Sequence, residues 1–427
     1  MCCTTNSSEE RQLTESKGLS HDAVRRANLS NVLRMVHTSG VVSRAVLTAR
    51  TSLNRSTVAD LVRELSSRGL VAEGDPMATG TPGRPSPSVK VRNDRVYVLA
   101  LDIKVDSIAA AIVGLGGQQL AATRVRRSRK PGEVAAVVDQ LAELATELMN
   151  DMPQRQRLVG IGVSVVGVVR RSDGVVRIAP NLGWKDVPLA EEVRRRLKKR
   201  VPIVVSNDGD AGALAERVHG VGRGVDDLLY ISGEVGIGGG IIAGGQALGG
   251  AVGYAGEIGH TVVEPDGEKC RCGQRGCWET VVGETALLRR AGYPEDGGLQ
   301  ALAEVHEALE ASEPFAVEAV ASIGQWLGVG LAGIVNVLNP QIIVLGGFYG
   351  RLHSYLVEEA IHELDARSLV ARGSPIEIVP SGFGADSSMM GAAEDAFQPL
   401  LRDPMTWPSW MRGDTSPAGF SRGMSLT

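Results

Sequence analysis

Apolar residues near the amino terminus recur at three- and four-residue steps, as on one face of a helix. We predict three such helices, of which the first ends at Gly40, the second is capped by Ser43 and the third ends at Gly69. Two brief strands then flank a loop rich in glycine and proline. The helices start near Asp22, Ser43 and Arg55, and the strands are 70–73 and 88–92. This order is typical of a winged helix-turn-helix, which we assign to residues 21–92.

Longer apolar strands alternate with amphipathic helices in the rest of the chain. A second strand-rich segment begins at residue 227 and resembles the first in its order of elements. Duplicated α/β lobes predict a hinged body with a ligand cleft between them. We assign residues 95–205 to the first lobe and 206–402 to the second, and we treat 1–20 and 403–427 as tails without periodic structure.

Charge is unevenly distributed along the chain. Residues 1–95 carry 14 Lys and Arg against 9 Asp and Glu, whereas the remainder carries 31 against 40. A basic segment on an acidic body indicates a module that binds a polyanion. We find no run of eighteen apolar residues and no export-signal pattern, so we expect a cytoplasmic protein that does not contact membranes.

The first turn of the third helix offers side chains that can read DNA. In a helix-turn-helix this turn meets base edges in the major groove, whereas a cation on the preceding helix meets phosphates. A single arginine between a glycine and a proline in the wing suits the minor groove. The candidate base contacts are Asn54, Arg55, Ser56 and Thr57, the phosphate contact is Arg44, and the wing residue is Arg84. A small helical adaptor, with these arginines as solvated surface charges, is the alternative.

The most specific pattern in the chain is a cluster of cysteines. Cys270, Cys272 and Cys277 fall within eight residues, and His260 stands ten residues before the first of them. Three thiolates and one imidazole complete a closed, four-coordinate zinc site, so we predict bound Zn²⁺. A disulfide with one free thiol is the alternative, which a reducing compartment disfavours.

The winged segment, its Gly83-Arg84-Pro85 loop and the run from Gly256 to Glu279 resemble the ROK family of repressors, open reading frames and kinases. The resemblance covers about residues 22–400. It implies a winged helix-turn-helix followed by a two-lobed, actin-like (ribonuclease-H-like) α/β body that binds sugar in its cleft. Members are either sugar kinases or sugar-responsive transcription regulators, and the regulators carry the DNA module.

The resemblance also implies a set of sugar ligands by motif position. Amides and carboxylates suit a polyol because each donates or accepts hydrogen bonds in a fixed direction. Asp208 matches the catalytic base of the kinases, and His260 serves as both sugar and zinc ligand. The implied sugar-binding residues are Asn181, Asn207, Asp208, Glu257, His260 and Glu279.

Two phosphate loops depart from the kinase pattern. Family kinases begin their body with Asp-x-Gly-x-Thr, where this chain has Lys104 and Asp106 in place of glycine and threonine. Their second loop has Gly-Thr where this chain has Glu234-Val235. A side chain and added carboxylates oppose a triphosphate, so we expect ATP binding and kinase activity to be lost. Asp208 is then a hydrogen-bond acceptor and only a vestigial base.

These features predict a sugar-responsive repressor that binds operator DNA as a homodimer or homotetramer. The effector is a sugar or a sugar phosphate, and its identity and the operator sequence stay open. One alternative is an ATP-dependent sugar kinase with an appended DNA module. Another is a constitutive DNA-binding protein with a vestigial cleft.

Overall fold

Short polar residues begin each of the three amino-terminal helices in the computed structural model, which describes residues 20–77, 85–153 and 156–406. The side chains of Ser20, Ser43 and Asn54 accept hydrogen bonds from backbone N–H groups of the following turns, as N-cap residues do. Gly40 ends the first helix with a φ of 71°, which glycine adopts without strain. The helices are α1 (His21–Ser39), α2 (Arg44–Thr51) and α3 (Arg55–Ser67).

A three-stranded antiparallel sheet completes the module, in the order β1-β3-β2. Its strands are β1 (Val41–Ser43), β2 (Val71–Met77) and β3 (Ser86–Val91). The predicted winged helix-turn-helix is confirmed, with one strand more than the pattern indicated. β1 has only three residues, too few for any alternation of apolar and polar positions to be seen. The wing residue Arg84 lies outside the described residues.

The first lobe is built on a five-stranded sheet in the order β11-β7-β4-β5-β6. Its central strands are buried along their whole length, which explains their unbroken apolar sequences. The strands are β4 (Val96–Ile103), β5 (Ser107–Gly114), β6 (Gln118–Arg126), β7 (Arg157–Val165) and β11 (Ile203–Asn207). A smaller sheet of β8 (Val168–Arg170), β9 (Val175–Ala179) and β10 (Trp184–Val187), with helices α4 (Val134–Asn150) and α5 (Leu189–Leu197), adjoins it.

The second lobe repeats the topology of the first. Its sheet has the order β14-β13-β12-β15-β16, with three antiparallel strands followed by two parallel ones, as in the first sheet. The predicted duplication of lobes is therefore present. The strands are β12 (Leu228–Gly233), β13 (Ile237–Ala243), β14 (Gln246–Ala247), β15 (Ile342–Gly346) and β16 (Glu377–Pro380). The helices from 208 onward are α6 (Asp208–Val218), α7 (Trp278–Val282), α8 (Glu284–Arg290), α9 (Gly298–Glu310), α10 (Pro314–Leu338), α11 (Gly347–Arg351), α12 (His353–Arg367), α13 (Leu369–Gly373) and α14 (Ser387–Arg402).

The last helix requires a correction to the predicted boundaries. α14 packs on the first sheet, although we had assigned all of residues 206–402 to the second lobe. Gly160 and Gly162 of β7 leave room for it, since a Cβ there would lie 2.4 Å and 1.8 Å from the carbonyl oxygens of Ala396 and Ala392. The chain therefore returns to the first lobe at its end, a long-range contact with no local sequence signal.

Helix α10 is long and apolar enough by length and composition to cross a membrane. It is instead a core helix of the second lobe, because half of its most apolar window is buried within the protein. Gly324 and Gly328 bring it against α12, where a Cβ would lie 2.5 Å and 2.4 Å from the carbonyl oxygens of Leu356 and Ala360.

The winged module and the body share one hydrophobic core. Leu33 and Val36 of α1 belong to the same buried cluster as Val98 of β4 and Phe397 of α14. Apolar burial of this kind contributes about 25 cal/mol per Å². The module is therefore packed on the body rather than tethered to it by a free linker.

Helices α6 and α14 form the interface between the lobes. α6 lies on the second sheet and α14 on the first, and they cross where Gly391 meets Ala211. A Cβ on Gly391 would lie 1.7 Å from the carbonyl oxygen of Ala211, so the two backbones are in direct contact. Only glycine fits at this crossing.

We expect Gly391→Ala to separate α6 from α14 and to reduce the free energy of unfolding by about 1–3 kcal/mol, as overpacking does. Gly333→Ala is the control, because a Cβ at this exposed α10 position meets nothing within 4 Å. That change should stabilise the helix by about 0.5–1 kcal/mol. Urea and thermal unfolding of both variants check this, and a Gly391→Ala protein as stable as the wild type would contradict the crossing geometry.

Candidate functional site

A cavity of about 240 Å³ lies between the two lobes. All the residues that the family resemblance implied as sugar ligands line this one cavity, although they come from distant parts of the sequence. They are Asn181, Asn207, Asp208, Glu257, His260 and Glu279. Amide and carboxylate groups therefore converge from both sides of the cleft, as a polyol site requires.

Asn207 and Asp208 are positioned where β11 passes into α6. The Asn207 Oδ1 accepts hydrogen bonds from the N–H groups of Gly209 at 2.8 Å and Asp210 at 3.2 Å, and its Nδ2 donates to the Gly167 oxygen at 2.9 Å. Asn207 is thus the N-cap of α6, with one amide hydrogen left over. Its first role is to fix the adjacent Asp208 at the helix N-terminus.

Asp208 has a raised pKa. Burial and the neighbouring carboxylate of Glu234 raise its pKa to about 7, although the Lys104 ammonium opposes the shift. Burial also raises the pKa of Glu257 on the other side of the cavity. Near neutral pH Asp208 therefore exchanges protons readily, and it can accept or donate a hydrogen bond to a hydroxyl group or remove its proton.

The predicted zinc ligands come together beside this cavity. The Sγ atoms of Cys272 and Cys277 are 3.7 Å apart, and the Cys270 Sγ lies 3.7 Å from the Nδ1 of His260. One ligand atom from each residue lies within 4.8 Å of all the others. Sulfurs about 3.8 Å apart are what a tetrahedral ion with bonds of about 2.3 Å requires. The residues form a His/Cys metal site whose donor set and spacing fit zinc.

Glu279 is held in the cleft by its neighbour in the chain. Trp278 is fully buried and its indole N–H donates to the Trp326 oxygen at 2.8 Å, which anchors the start of α7. Gly236 in the β12–β13 loop leaves space for the carboxylate, because a Cβ there would lie 2.7 Å from the Glu279 Oε2. The apolar anchor and the glycine loop together fix the Glu279 side chain.

Arg271 also lines the cavity, and the sequence interpretation did not include it. Its Nη1 donates to the Oδ1 of Asn181 at 2.8 Å, so the metal loop of the second lobe contacts the first lobe across the cleft. The sequence could have indicated Arg271 as a cavity residue, because it lies between Cys270 and Cys272. Metal ligands on both sides of a residue restrict where its side chain can point.

The nucleotide side of the cleft contains an ion pair between the lobes. The Lys104 Nζ, from the β4–β5 turn, contacts Glu234 from the β12–β13 loop and donates to the Ala385 oxygen at 3.1 Å. Burial lowers the pKa of Lys104, but Glu234 and Asp102 outweigh it and raise the pKa above its ordinary value. Lys104 and Glu234, one departure from each kinase loop, are therefore partners in one ion pair, in which Lys104 is buried and Glu234 half-buried.

Asp106 forms an ion pair with Arg129. Its Oδ2 accepts a hydrogen bond from Arg129 at 3.0 Å, and Arg129 also binds the carboxylate of Glu284. One guanidinium is shared by two carboxylates, so Asp106 keeps part of its negative charge and its repulsion of phosphate stays a prediction.

The candidate DNA contacts cluster at the start of α3. The Asn54 Oδ1 accepts hydrogen bonds from the Thr57 N–H at 2.8 Å and the Ser56 hydroxyl at 2.7 Å, so part of this set caps the helix. Arg55 is exposed at the first helical position. Arg44 forms an ion pair with Glu73 of β2, so a DNA phosphate would compete with a carboxylate for it.

Comparisons with known proteins agree with this architecture. A xylose repressor of Bacillus subtilis (strain 168) is 30% identical over 372 residues, which cover 86% of this chain and 94% of the repressor. The crystal structure of a ROK family transcriptional regulator, a homolog of the E. coli MLC protein, has a TM-score of 0.74 at 26% identity and covers 91% of this chain and 100% of its own. A ROK family glucokinase from Streptomyces griseus, in complex with glucose and AMPPNP, has a TM-score of 0.62 at 28% identity and covers 71% of this chain and 99% of its own.

The protein-family model of the ROK family matches residues 98–398, which is most of the two-lobed body. The repressor and regulator matches extend beyond the body, over a larger share of this chain than the glucokinase match. The chain belongs to the ROK family.

Proposed function

We propose that this protein is a sugar-responsive repressor that binds operator DNA. The observation that carries the proposal is that a winged helix-turn-helix shares one core with a body whose cleft is lined by amides and carboxylates. The likeness to a xylose repressor supports it, because 372 aligned residues exceed the length of the body alone. We place the protein in the cytoplasm, where it has access to DNA.

Sugar binding would bridge the two lobes. Asn181 and Asn207 belong to the first lobe, whereas Glu257, His260 and Glu279 belong to the second. A ligand that hydrogen-bonds to both sides favours the arrangement in which they are closest. The Arg271–Asn181 hydrogen bond also joins the two lobes at this cavity. A sugar hydroxyl that donates to the Asn181 Oδ1 in place of Arg271 therefore displaces or reorients the Arg271 side chain.

DNA binding would use the first turn of α3. Arg55 is the exposed cation of that turn and suits guanine, while Asn54, Ser56 and Thr57 add polar groups beside it. Arg44 and the wing residue Arg84 would contact the backbone and the minor groove. A homodimer or homotetramer would present two modules to a palindromic operator.

Zinc would be held by His260, Cys270, Cys272 and Cys277. When bound, the ion supplies charge that stabilises the thiolates and fixes the loop. His260 faces both sites, since its Nδ1 lies among the sulfurs and its Nε2 lies 3.9 Å from the Glu257 carboxylate in the cleft. The same loop carries Arg271, so the metal would orient groups at the cavity.

A sugar kinase is the second candidate, favoured by Asp208. Its position at the cleft and its pKa of about 7 suit a general base. A base needs a phosphoryl donor, however, and the Lys104–Glu234 pair occupies the side where the family binds phosphates. We therefore propose that kinase activity is lost and that Asp208 accepts a hydrogen bond from the sugar.

We expect a sugar to weaken operator binding by about 5–150-fold, the range of typical allosteric coupling. The operator is a duplex selected by the wild-type protein from random DNA, and the sugars are D-xylose, D-glucose, D-mannose and N-acetyl-D-glucosamine. Fluorescence anisotropy gives the Kd with and without each sugar. Arg55→Ala should cost about 1–3 kcal/mol of operator binding and leave sugar affinity unchanged.

Arg195→Ala on α5 is the matched control, because this exposed arginine lies outside the module. It should leave both affinities unchanged. Operator binding that no sugar alters, in a protein that binds one of them by calorimetry, would overturn the regulatory function.

We expect one zinc ion per chain in the purified protein, and we expect Cys277→Ser to lose it. The variant should also bind sugar more weakly and melt at a lower temperature, because the loop that carries His260 and Arg271 is released. Elemental analysis and calorimetry measure these effects, with Cys3→Ser as the control thiol. Retention of zinc and of full sugar affinity in Cys277→Ser would contradict the site.

A further inference from the structure

Three ionisable side chains meet where the winged module contacts the body, far along the chain from the cleft residues. His37 comes from α1, His219 directly follows α6, and Glu394 lies on α14. The Glu394 Oε2 is 2.8 Å from the Nε2 of His37 and 3.4 Å from the Nε2 of His219. His37 and Glu394 are almost completely buried. We call these three residues the module junction.

Hydrogen bonding fixes the proton positions in the module junction. The backbone N–H of Gly116 donates to the Nδ1 of His37 at 2.9 Å, so this nitrogen has no proton. The Nε2 of His37 must then carry the proton, and its N–H donates a hydrogen bond to Glu394. A protonated Nε2 cannot bind a metal, which disfavours a second metal site for the cluster that these residues form. The junction is therefore a buried carboxylate that accepts a hydrogen bond from His37 and lies 3.4 Å from the Nε2 of His219, which has no hydrogen-bond partner among the described residues.

Helix α6 connects this junction to the sugar cleft. Asn207 and Asp208 stand at its N-terminus in the cavity, and His219 stands at its C-terminus beside Glu394. The helix has eleven residues and contacts the α14 backbone at Gly391. Packed helices move as rigid bodies, so a displacement of the N-terminus of α6 displaces His219 by a similar distance.

Two further polar contacts join α1 to α14 directly. The Arg34 Nη1 donates to the Gln398 Oε1 at 3.0 Å, and the Ser30 hydroxyl donates to the Leu401 oxygen at 2.7 Å. Both partners lie on α14. Within the described residues, the module junction is where side chains from α1, α6 and α14 meet at one carboxylate.

We propose that the module junction transmits the state of the sugar cleft to the DNA module. A sugar that closes the cleft moves α6, which lies on the second sheet, relative to α14 on the first sheet, and His219 then changes its contact with Glu394. A hydrogen bond between the Nε2 of His219, which is unpartnered in the described part of the chain, and the buried Glu394 carboxylate is either made or not made, so the junction favours two discrete arrangements over a continuous range. Because His37 is hydrogen-bonded to Glu394, a displacement of Glu394 also displaces His37. That moves α1, the first helix of the winged module. This proposal rests on the sugar site of the proposed function.

Two substitutions test the transmission. Glu394→Gln keeps the shape of the side chain and removes the charge that both imidazoles face. His219→Gln removes only the α6 arm and leaves the His37–Glu394 contact in place, so it remains informative if Glu394→Gln fails to fold. Ser30→Ala is the matched control, because it removes a hydrogen bond between α1 and α14 without touching α6 or Glu394.

Each full-length protein is titrated with whichever of D-xylose, D-glucose, D-mannose and N-acetyl-D-glucosamine binds the wild type best. Hydrogen exchange of the α1 amides is measured with and without that sugar, and so is the Kd for the selected operator. We expect sugar to change α1 exchange and operator Kd in the wild type and in Ser30→Ala. In His219→Gln and Glu394→Gln the ratio of the two Kd values should fall to within about twofold, against about 5–150-fold for intact coupling.

The outcomes separate the junction from the function. Variants that bind sugar and respond to it as the wild type does would overturn the junction and leave the repressor function standing. A sugar-dependent change in α1 exchange that the variants abolish, with no effect on operator Kd, would support the junction and overturn the function. Elemental analysis that finds two zinc ions in the wild type and one in His37→Gln would overturn the hydrogen-bonded junction in favour of a metal site.

Discussion

An ammonium group buried between two lobes must be paired with a carboxylate, because an unpaired buried charge costs several kcal/mol. In this protein Lys104 of the first lobe meets Glu234 of the second, and the pair sets how the lobes approach each other on the nucleotide side of the cleft. A triphosphate at that place would have to break the pair and face Glu234 without its cation. The two loop residues that differ from the kinase pattern thus contact each other between the lobes.

The other side of the cleft differs in its chemistry. Amides and carboxylates from both lobes line it, and a His/Cys metal site supports the loop that carries His260, Arg271 and Glu279. Side chains there are bound to one another by single hydrogen bonds, such as Arg271 to Asn181, which a polyol can replace. A body of this kind can bind a sugar as a signal without a second substrate to react with it.

Local sequence patterns predicted the elements well, because caps and helix ends depend on neighbouring residues. Gly40 and Ser43 have the predicted roles at the helix ends. Family motifs predicted the cavity residues, which the fold collects from distant segments. The sequence could not show contacts between distant residues, such as Lys104 with Glu234, 130 residues apart, or His37 with Glu394, 357 residues apart. For the same reason, the ion pair of Asp106 with Arg129 and the return of α14 to the first sheet were missed.

The most direct test is a calorimetric titration of the magnesium complex of AMPPNP into the wild-type protein saturated with its sugar, together with an ADP-release assay using ATP. The account predicts that the sugar binds, that the nucleotide analogue gives no binding heat, and that no ADP is released. Binding of the analogue with sugar-dependent ADP release, abolished by Asp208→Asn, would contradict the account and identify a kinase.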